Sequence, residues 1–319
     1  MMRKVLITGG FGYLGGRLAQ FLASQEDYEI LLGSRRQIQS PSWLPQAQVV
    51  ETQWDSPQGL QEVCSGVDII VHLAGMNAKD CAADPAMAME VNAVATACLV
   101  QAVIRQKVKR FIYMSTVHVY GNPLTGVITE ETKPTPIHPY AYSHRAGEDV
   151  VLTSHQSGEI EGVVIRLSNA YGVPADKDAN CWMLLVNDLC RQAVTAGRLV
   201  LRSAGLQKRD FISIHDVVRA IDHFIESPFD KSGDGIFNLG GESTYRVIEL
   251  AELIAERCET VLGFRPAIER PDSVLGESSP ELDYKIDKLK ETGFSLNGNI
   301  KNEIDATLVF CHKNFKQLT

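Results

Sequence analysis

Short apolar runs alternate along the chain with segments whose apolar residues recur every three or four positions. The runs are typical of parallel strands buried on both faces, and the other segments are typical of helices that pack on a sheet. This alternation predicts an α/β fold with a doubly wound parallel sheet. Strands are predicted at 4–7, 28–32, 48–51, 67–75, 109–115, 161–167, 199–201, 209–214 and 236–239, and helices at 17–22, 60–64, 84–105, 140–155, 183–194, 216–226 and 247–256.

A glycine-rich turn joins the first predicted strand to the first predicted helix, with Gly9, Gly12 and Gly15 spaced as GxxGxxG. The first glycine can make the tight turn, the second lets a pyrophosphate approach the backbone, and the third lets the helix lie close to the strand. The helix start offers free N–H groups and a partial positive charge to phosphates. We therefore favour a dinucleotide site over a ligand-free turn. The predicted cofactor residues here are Gly9, Phe11, Gly12, Tyr13, Leu14 and Gly15.

Ligands of doubly wound sheets bind at the carboxyl ends of the strands. Besides the glycine turn, this rule selects Arg35, the segment Leu73-Ala74-Gly75, and Ser115 with Thr116. Residues 1–170 are accordingly predicted to form a dinucleotide-binding Rossmann domain, with returning segments near 208–240. Residues 171–319 are predicted to form mainly a smaller substrate-binding region that caps the cleft.

Arg35 and Arg36 follow the second predicted strand, where NAD-selective folds usually carry an acidic residue that binds the adenine-ribose 2′-hydroxyl. Guanidinium groups instead match a 2′-phosphate in geometry and charge. The sequence therefore favours NADP(H) over NAD(H). The alternative is that one or both arginines are solvated surface charges.

The composition of the chain indicates which classes of partner it is not expected to bind. The chain has 319 residues, is 45% hydrophobic and 22% charged, and carries a net charge of −8. A negative protein is a poor partner for nucleic acid or an anionic membrane. No apolar run appears long enough to span a bilayer, and no signal peptide is recognised, so a cytoplasmic location is expected. The seven scattered cysteines are expected to be reduced thiols, and no metal site is predicted.

Several longer motifs stand in one order along the chain. With them the chain resembles the extended short-chain dehydrogenase/reductase family, in particular its nucleotide-sugar epimerase and dehydratase branch. The resemblance covers most of the chain and is more specific than any one motif. The motifs are TGGFGYLG at 8–15, HLAG at 72–75, Asn92, STVHVYG at 115–121, PYAYSH at 139–144, RLSNAYG at 166–172, RDFISIHDV at 209–217 and FNLGG at 237–241.

The resemblance implies transient oxidation of a sugar hydroxyl by a bound nicotinamide. Tyr140 would take the hydroxyl proton, and Thr116 would hydrogen-bond the sugar oxygen. Asn169 and Arg209 would contact the diphosphate of a nucleotide sugar, although Arg209 could instead pair with Asp210 or Asp216. Further cofactor contacts are expected from Asn92, Ser115, Leu167 and Ser168, and the helices that begin near 84 and 140 imply a homodimer.

His144 is the main departure from the family pattern, which has a lysine four residues after the tyrosine. Tyr140 and His144 share a helix face, and a neutral imidazole can still donate to a ribose hydroxyl. With an ordinary pKa of about 6.5, however, it carries only part of a charge at neutral pH. Arg145 is turned off this face and is not expected to replace the lysine. The alternative is that His144 has lost its role in the active site.

Two smaller departures concern the adenine and the reaction type. Gln53 and Trp54 stand where the family usually has Asp and an aliphatic residue near the adenine, and Gln53 can still bond the amino group. Val117 and His118 stand where the dehydratase branch has Asp-Glu, so a dehydratase ranks below an epimerase or ketoreductase. The competing hypothesis is a catalytically weak nucleotide-binding sensor or partner subunit.

Overall fold

The computed structural model describes residues 2–228, 233–272 and 280–316. In these residues the strands are β1 (Arg3–Thr8), β2 (Tyr28–Ser34), β3 (Gln48–Glu51), β4 (Ile69–His72), β5 (Arg110–Thr116), β6 (Gly126–Ile128), β7 (Glu161–Leu167), β8 (Asn169–Tyr171), β9 (Arg198–Val200), β10 (Lys208–Ser213), β11 (Ile236–Leu239), β12 (Thr244–Arg246), β13 (Ala267–Glu269) and β14 (Leu282–Tyr284). The α-helices are α1 (Tyr13–Ala23), α2 (Pro57–Cys64), α3 (Ala78–Ala83), α4 (Pro85–Met89), α5 (Ala95–Gln106), α6 (Pro139–Gln156), α7 (Leu185–Ala196), α8 (Ile214–Glu226), α9 (Val247–Leu262), α10 (Asp287–Glu291) and α11 (Ile300–Phe315).

Seven parallel strands form the main sheet in the order β3-β2-β1-β4-β5-β7-β11. The strand order reverses between β1 and β4, so a crevice opens at the carboxyl ends of these two strands. Val5 of β1 is in register with Ile30 on one side and Ile69 on the other, and all three side chains are buried. The predicted doubly wound α/β fold is confirmed.

Helices cover both faces of this sheet, as the continuously apolar strands require. On one face, Leu18 of α1 and Ile221 of α8 share a core with Val5. On the other face, Leu99 of α5 packs in a core with Leu6, the neighbour of Val5 in β1. Successive residues of a strand thus point to opposite faces of the sheet and pack against different rows of helices.

A second part of the chain has its own small sheet and core. Strands β12, β10 and β8 form a three-stranded sheet, and α7, α9 and α11 pack together through residues such as Leu189, Leu250 and Leu308. Of the segments expected to return near 208–240, β11 joins the main sheet beside β7, whereas β10 lies in the three-stranded sheet beside β8.

The lengths of one strand and one helix are of interest for the site and the second core. The strand predicted over 67–75 is shorter, since β4 ends at His72 and the chain then bends toward the Thr8 hydroxyl. The last helix, α11, runs for 16 residues. Its Ile304 and Leu308 lie on one face at helical spacing and are fully buried, which explains its length.

Helices α4 and α5 are joined by a π-helical segment, Glu90–Val94, into one apolar rod. The Asp84 side chain caps its start by accepting a hydrogen bond from the Met87 amide, with Pro85 at the first helical position. Among the described residues, this rod, Pro85–Gln106, is the one helix with the length and hydropathy of a membrane span. Only 44% of its most apolar window is buried, although it packs against α2 and α6.

Candidate active site

The glycine turn between β1 and α1 forms a cradle that side chains would fill. Gly9 has φ +68°, and a Cβ on it would lie 2.9 Å from the backbone of Leu73. A Cβ on Gly15 would lie 2.3 Å from the Gly9 carbonyl oxygen. Gly12 is the N-cap of α1 and provides no side-chain cap. The N–H groups of the first helical turn are therefore without a side-chain partner, and the cradle fits a pyrophosphate.

The side chains of this turn pack within the protein. The Tyr13 hydroxyl donates to the Gly172 carbonyl over 2.9 Å, and the Phe11 ring lies 6.2 Å from the Trp43 ring. Leu14, the second residue of α1, packs against the main core and against the small cluster that contains Tyr13. These contacts hold the shape of the turn and connect it to the end of β8.

Thr8 and His72 hold the two strands that flank the crevice. The Thr8 hydroxyl lies 2.6 Å from Nδ1 of His72 and accepts from the amides of Leu73 and Ala74 at 3.2 and 3.3 Å. Burial lowers the pKa of His72 to about 3, so its ring is neutral at pH 7. Leu73, Ala74 and the exposed Gly75 are thereby placed opposite the glycine turn.

The residues expected around the adenine lie near the carboxyl ends of β2 and β3. Arg35 and Arg36 are exposed, and neither forms an ion pair with any residue in the described ranges. Gln53 is exposed, whereas Trp54 is half-buried with its ring 5.7 Å from the His72 ring. The two guanidinium groups are thus available to a ligand.

The three predicted catalytic residues come together at the carboxyl end of β5. Thr116 ends β5 and is buried, and its side chain accepts from the His118 amide at 3.2 Å. Tyr140 lies in the first turn of α6, where the His138 side chain caps the helix. The rings of Tyr140 and His144 are 4.5 Å apart in an edge-to-face arrangement. The helical spacing of these two residues therefore does place them side by side.

Both ionisable groups of this trio are neutral at pH 7. Burial raises the pKa of Tyr140 above its usual value, and the neighbouring Thr116 hydroxyl offsets part of that effect. Burial also lowers the pKa of His144 to about 4, against the opposing influence of Glu148. His144 therefore provides hydrogen bonding to the site and no positive charge.

His118 and Arg209 extend the site beyond Tyr140. The His118 ring lies 6.3 Å from the Tyr140 ring, and burial together with Arg209 and His138 lowers its pKa. Arg209 is exposed and makes no ion pair with the described residues, Asp210 and Asp216 included. It shares one face of β10 with Phe211, which is in register with Asn169. Arg209 and Asn169 thus face the same side.

The segment after β7 is fixed by the buried carboxylate of Asp210. Asp210 accepts from the Ser168 hydroxyl and from the amides of Gly241 and Ser243. Asn169 donates to the Asp210 carbonyl at 2.9 Å, and Leu167 is buried in the main core. The side chains of Ser168 and Leu167 therefore make contacts within the protein. A contact of these residues with a coenzyme would come from their backbone.

Asn92 is also held by protein contacts. It lies in the π-helical segment, is 1% exposed, accepts from the Met76 amide at 2.8 Å and donates to the Ser143 hydroxyl at 2.9 Å. It thus fastens the loop after β4 to α6. This geometry positions Gly75 beside His144.

A buried ionic network behind the site was missed by the sequence reasoning. The Glu148 carboxylate is fully buried, accepts from the Ser115 hydroxyl and pairs with Arg166 at 2.7 Å. Arg166 in turn donates to the Tyr120 hydroxyl at 2.9 Å. Two signals could have indicated it, because Glu148 lies one turn after His144 and Arg166 interrupts an otherwise apolar strand.

Comparison with solved structures supports the fold. UDP-glucuronic acid 4-epimerase from Bacillus cereus, in complex with NAD, is 21% identical with a TM-score of 0.79, covering 98% of this chain and 97% of that one. RMD from Pseudomonas aeruginosa, complexed with NADPH, is 23% identical with a TM-score of 0.77, covering 98% and 99%. Proteins of this fold thus bind either nicotinamide coenzyme.

Sequence comparison identifies the family. The uncharacterized UDP-glucose epimerase YtcB of Bacillus subtilis is 25% identical over 290 residues, which span 86% of this chain and 87% of that protein. Matching curated relatives also include the dTDP-glucose 4,6-dehydratase of Streptomyces niveus and the human dTDP-D-glucose 4,6-dehydratase, of which the aligned parts span 57% and 91%. For the D-erythronate dehydrogenase of Haemophilus influenzae, the aligned part spans 54% of that protein. The profile of the NAD dependent epimerase/dehydratase family matches residues 5–240. The chain belongs to this family, whose nucleotide-sugar enzymes are extended short-chain dehydrogenases/reductases.

Proposed function

We propose that this protein is an NAD(P)-dependent enzyme that acts on a nucleotide-linked sugar through a keto intermediate, as a 4-epimerase or a ketoreductase. The observation that supports this most strongly is the trio of Thr116, Tyr140 and His144. It stands at the carboxyl edge of the sheet, and the glycine cradle lies at the same edge. A dinucleotide lying across that edge would bring its reactive end to the phenol.

The roles of the three side chains follow from their chemistry. A nicotinamide coenzyme, when bound, accepts a hydride from the sugar carbon and can return it. Tyr140 removes the proton of the sugar hydroxyl as the carbonyl forms and gives it back when the carbonyl is reduced. Thr116 hydrogen-bonds the same oxygen, and His144 donates a hydrogen bond to the coenzyme ribose.

Arg209 and Asn169 are proposed to hold the diphosphate of the substrate. Arg209 is exposed and unpaired among the described residues, and a guanidinium can bind two phosphate oxygens at once. Asn169 lies on the same sheet face. A nucleotide sugar would then extend from this face toward Tyr140.

NADP(H) is the proposed coenzyme, because Arg35 and Arg36 are available to a 2′-phosphate. Replacing Arg35 by Ala should weaken NADP binding about 10-fold or more and leave NAD binding nearly unchanged. Dissociation constants for both coenzymes would be measured by fluorescence titration. A wild-type preference for NAD would contradict this proposal.

A dehydratase ranks lower among the proposed activities. Elimination of water needs an acid and a base close to the oxidised carbon. The two residues after Thr116 are Val117, which is 2% exposed in an apolar cluster, and His118. No carboxylate stands at either position.

The test is turnover of a panel of nucleotide sugars, with nicotinamide absorbance and product analysis as readouts. We expect the wild type to convert at least one of them and Tyr140→Phe to lower kcat by a factor of about 10² to 10⁴. Tyr142→Phe is the matched control, since Tyr142 lies in the same turn without a described contact to the site. Equal kcat values for Tyr140→Phe and the wild type would contradict the role of Tyr140.

A second candidate is a nucleotide-binding sensor or partner subunit with little catalysis. The observation that favours it is the neutral His144 in place of a cation. Coenzyme binding without any absorbance change or product across the panel would favour this alternative. We further propose a cytoplasmic homodimer in which residues 1–170 bind the coenzyme and residues 171–319 mainly bind the substrate.

A further inference from the structure

We propose that Tyr113 is a positioning residue for His144, whose phenol donates to Nδ1 and so keeps the ring proton on Nε2, on the side of the coenzyme cleft. The inference rests on the proposed function, because it specifies the form in which His144 meets the coenzyme. It concerns a tyrosine that the motifs do not single out.

The contact joins β5 to α6, and a glycine makes room for it. Tyr113 lies in β5 and is 2% exposed, and its hydroxyl is 3.1 Å from Nδ1 of His144 in α6. Gly147, on the next turn of α6, makes room for it, since a Cβ there would lie 2.4 Å from the Tyr113 hydroxyl oxygen and 2.7 Å from the Asn92 carbonyl. A larger residue at 147 would displace the phenol from His144.

The position of the phenol proton follows from the competing acceptors. The Tyr113 hydroxyl has one proton, and its shortest described contact to an acceptor is to Nδ1 of His144 at 3.1 Å, whereas the carbonyls of Asn92 and His144 are each at 3.4 Å. The Thr96 hydroxyl also lies near enough to influence the pKa of Tyr113, but no described hydrogen bond joins the two. The Asn92 carbonyl already accepts from the Thr96 hydroxyl at 2.9 Å. The His144 carbonyl lies inside α6, where it accepts a backbone hydrogen bond of the helix. Nδ1 is therefore the preferred acceptor.

The ring proton of His144 must then be on Nε2. Both groups are neutral near pH 7, because burial raises the pKa of Tyr113 and lowers the pKa of His144 to about 4. A neutral imidazole carries one proton, so an accepting Nδ1 leaves Nε2 as the donor.

Nε2 is the ring nitrogen left open to a ligand, since Tyr113 occupies Nδ1. The edge of the ring that carries Cε1 lies beside the exposed Gly75, because Cε1 is 3.7 Å from the place of a Cβ there. No hydrogen bond joins Nε2 to any residue in the described parts of the chain. His144 thus keeps the donor function of the family's lysine and lacks its charge.

The tautomer can be read by NMR of ¹⁵N-histidine-labelled protein at pH 7.5, with His144→Gln used to assign the signals. We expect a protonated Nε2 and a hydrogen-bonded, unprotonated Nδ1 in the wild type. In Tyr113→Phe, both nitrogen signals should move toward those of a freely exchanging imidazole. A wild-type proton on Nδ1, or unchanged signals in Tyr113→Phe, would overturn the inference.

Coenzyme affinity separates positioning from stability. Tyr113→Phe should weaken NADP binding about three- to tenfold. Tyr28→Phe, which removes another buried phenol at the opposite edge of the sheet, should change melting temperature similarly and leave NADP binding unchanged. In a His144→Gln background, Tyr113→Phe should have no further effect on affinity. An equal loss in that background would also overturn the inference.

The two proposals fail in different ways. If the wild type binds neither coenzyme, the proposed function is wrong, while the NMR comparison still decides the role of Tyr113. If the coenzyme binds and the ¹⁵N signals of His144 are the same in Tyr113→Phe as in the wild type, only the positioning role is wrong.

Discussion

At the scale of single residues, none of the described side chains places a cation beside the proposed base. His144 is neutral because burial lowers its pKa to about 4. The neighbouring Arg145 is occupied by Glu148 and Asp149, and Arg166 is occupied by Glu148. The Thr116 hydroxyl thus acts alone, among the described contacts, to oppose the rise of the Tyr140 pKa. At pH 7 the Tyr140 phenol is therefore protonated, and little phenolate is present to act as the base.

Replacing His144 by Lys should restore that charge. An ammonium close to the phenol favours phenolate and lowers the pKa of Tyr140. We expect the acid limb of the kcat–pH profile to shift to lower pH. Turnover at pH 7 should rise about 10-fold for each unit by which the pKa falls. The measurement is kcat from pH 6 to 10 with saturating coenzyme.

His144→Gln is the matched control, because an amide can donate a hydrogen bond without a charge. Its pH profile should keep the wild-type acid limb. A lysine variant with the same acid limb as the wild type would show that residue 144 does not act on Tyr140.

Which residues of the site are predictable depends on their distance along the chain. Tyr140 and His144 are four positions apart on one helix, so periodicity was enough to pair them. The Tyr113–His144 and Glu148–Arg166 contacts join different elements, so no periodicity within one element pairs these residues. The alternative ion pair of Arg209 with Asp210 or Asp216 is wrong, because these carboxylates are bonded to other groups.

At the scale of elements, the glycine turn combines two different requirements. Gly15 is needed for packing, since a Cβ would lie 2.3 Å from the Gly9 carbonyl oxygen and 2.8 Å from the Gly10 backbone. At Gly12 a Cβ would meet one atom, the Gly9 carbonyl oxygen, at 3.0 Å. The protein itself can thus accommodate a side chain at 12 far better than at 15.

Alanine at these two positions should separate folding from binding. Gly15→Ala should destabilise the protein by about 3 kcal/mol, because backbone cannot move aside easily. Gly12→Ala should cost less than about 1 kcal/mol and still weaken coenzyme binding at least 10-fold, by keeping the pyrophosphate off the backbone. Urea unfolding and coenzyme titration of both variants provide the measurements. Wild-type coenzyme affinity in Gly12→Ala would argue against a pyrophosphate at this turn.

The elements that the sequence predicted are those with a strong local signal. The strands of the main sheet are apolar runs that need helices on both sides, so their pattern is independent of the partner. The short pair β6 and β14 joins Gly126–Ile128 to Leu282–Tyr284 and has no such run. Its existence depends on tertiary packing around Tyr284, which bonds the Arg166 carbonyl and Asn238.

At the scale of the whole molecule, buried histidines connect stability to pH. His72 is 1% exposed and its pKa is lowered to about 3, against about 6.5 in the unfolded chain. The unfolded chain therefore binds a proton at His72 below pH 6.5 while the folded protein does not. This contribution to stability is present above pH 6.5 and is lost as pH falls toward 3.

His72→Gln should reveal this linkage by difference, since other groups titrate equally in both proteins. Between pH 6 and 4.5, the free energy of unfolding of the wild type should fall more steeply than that of the variant. The difference in slope should approach about 1.4 kcal/mol per pH unit. Urea unfolding across this range provides both slopes, and parallel lines would mean that His72 titrates normally in the folded protein.

The proposed homodimer depends on the exposed side of the rod Pro85–Gln106. Met87 and Val94 lie two helical turns apart on this rod and are 47% and 45% exposed. The rod packs beside α6, so two copies could bury this apolar side against each other.

We expect the wild type to sediment as a dimer and Val94→Glu as a monomer, since a buried unpaired carboxylate is costly. Val309→Glu, at a similarly exposed valine on α11, should remain dimeric. A monomeric wild type, or a dimeric Val94→Glu variant, would exclude this face as the interface.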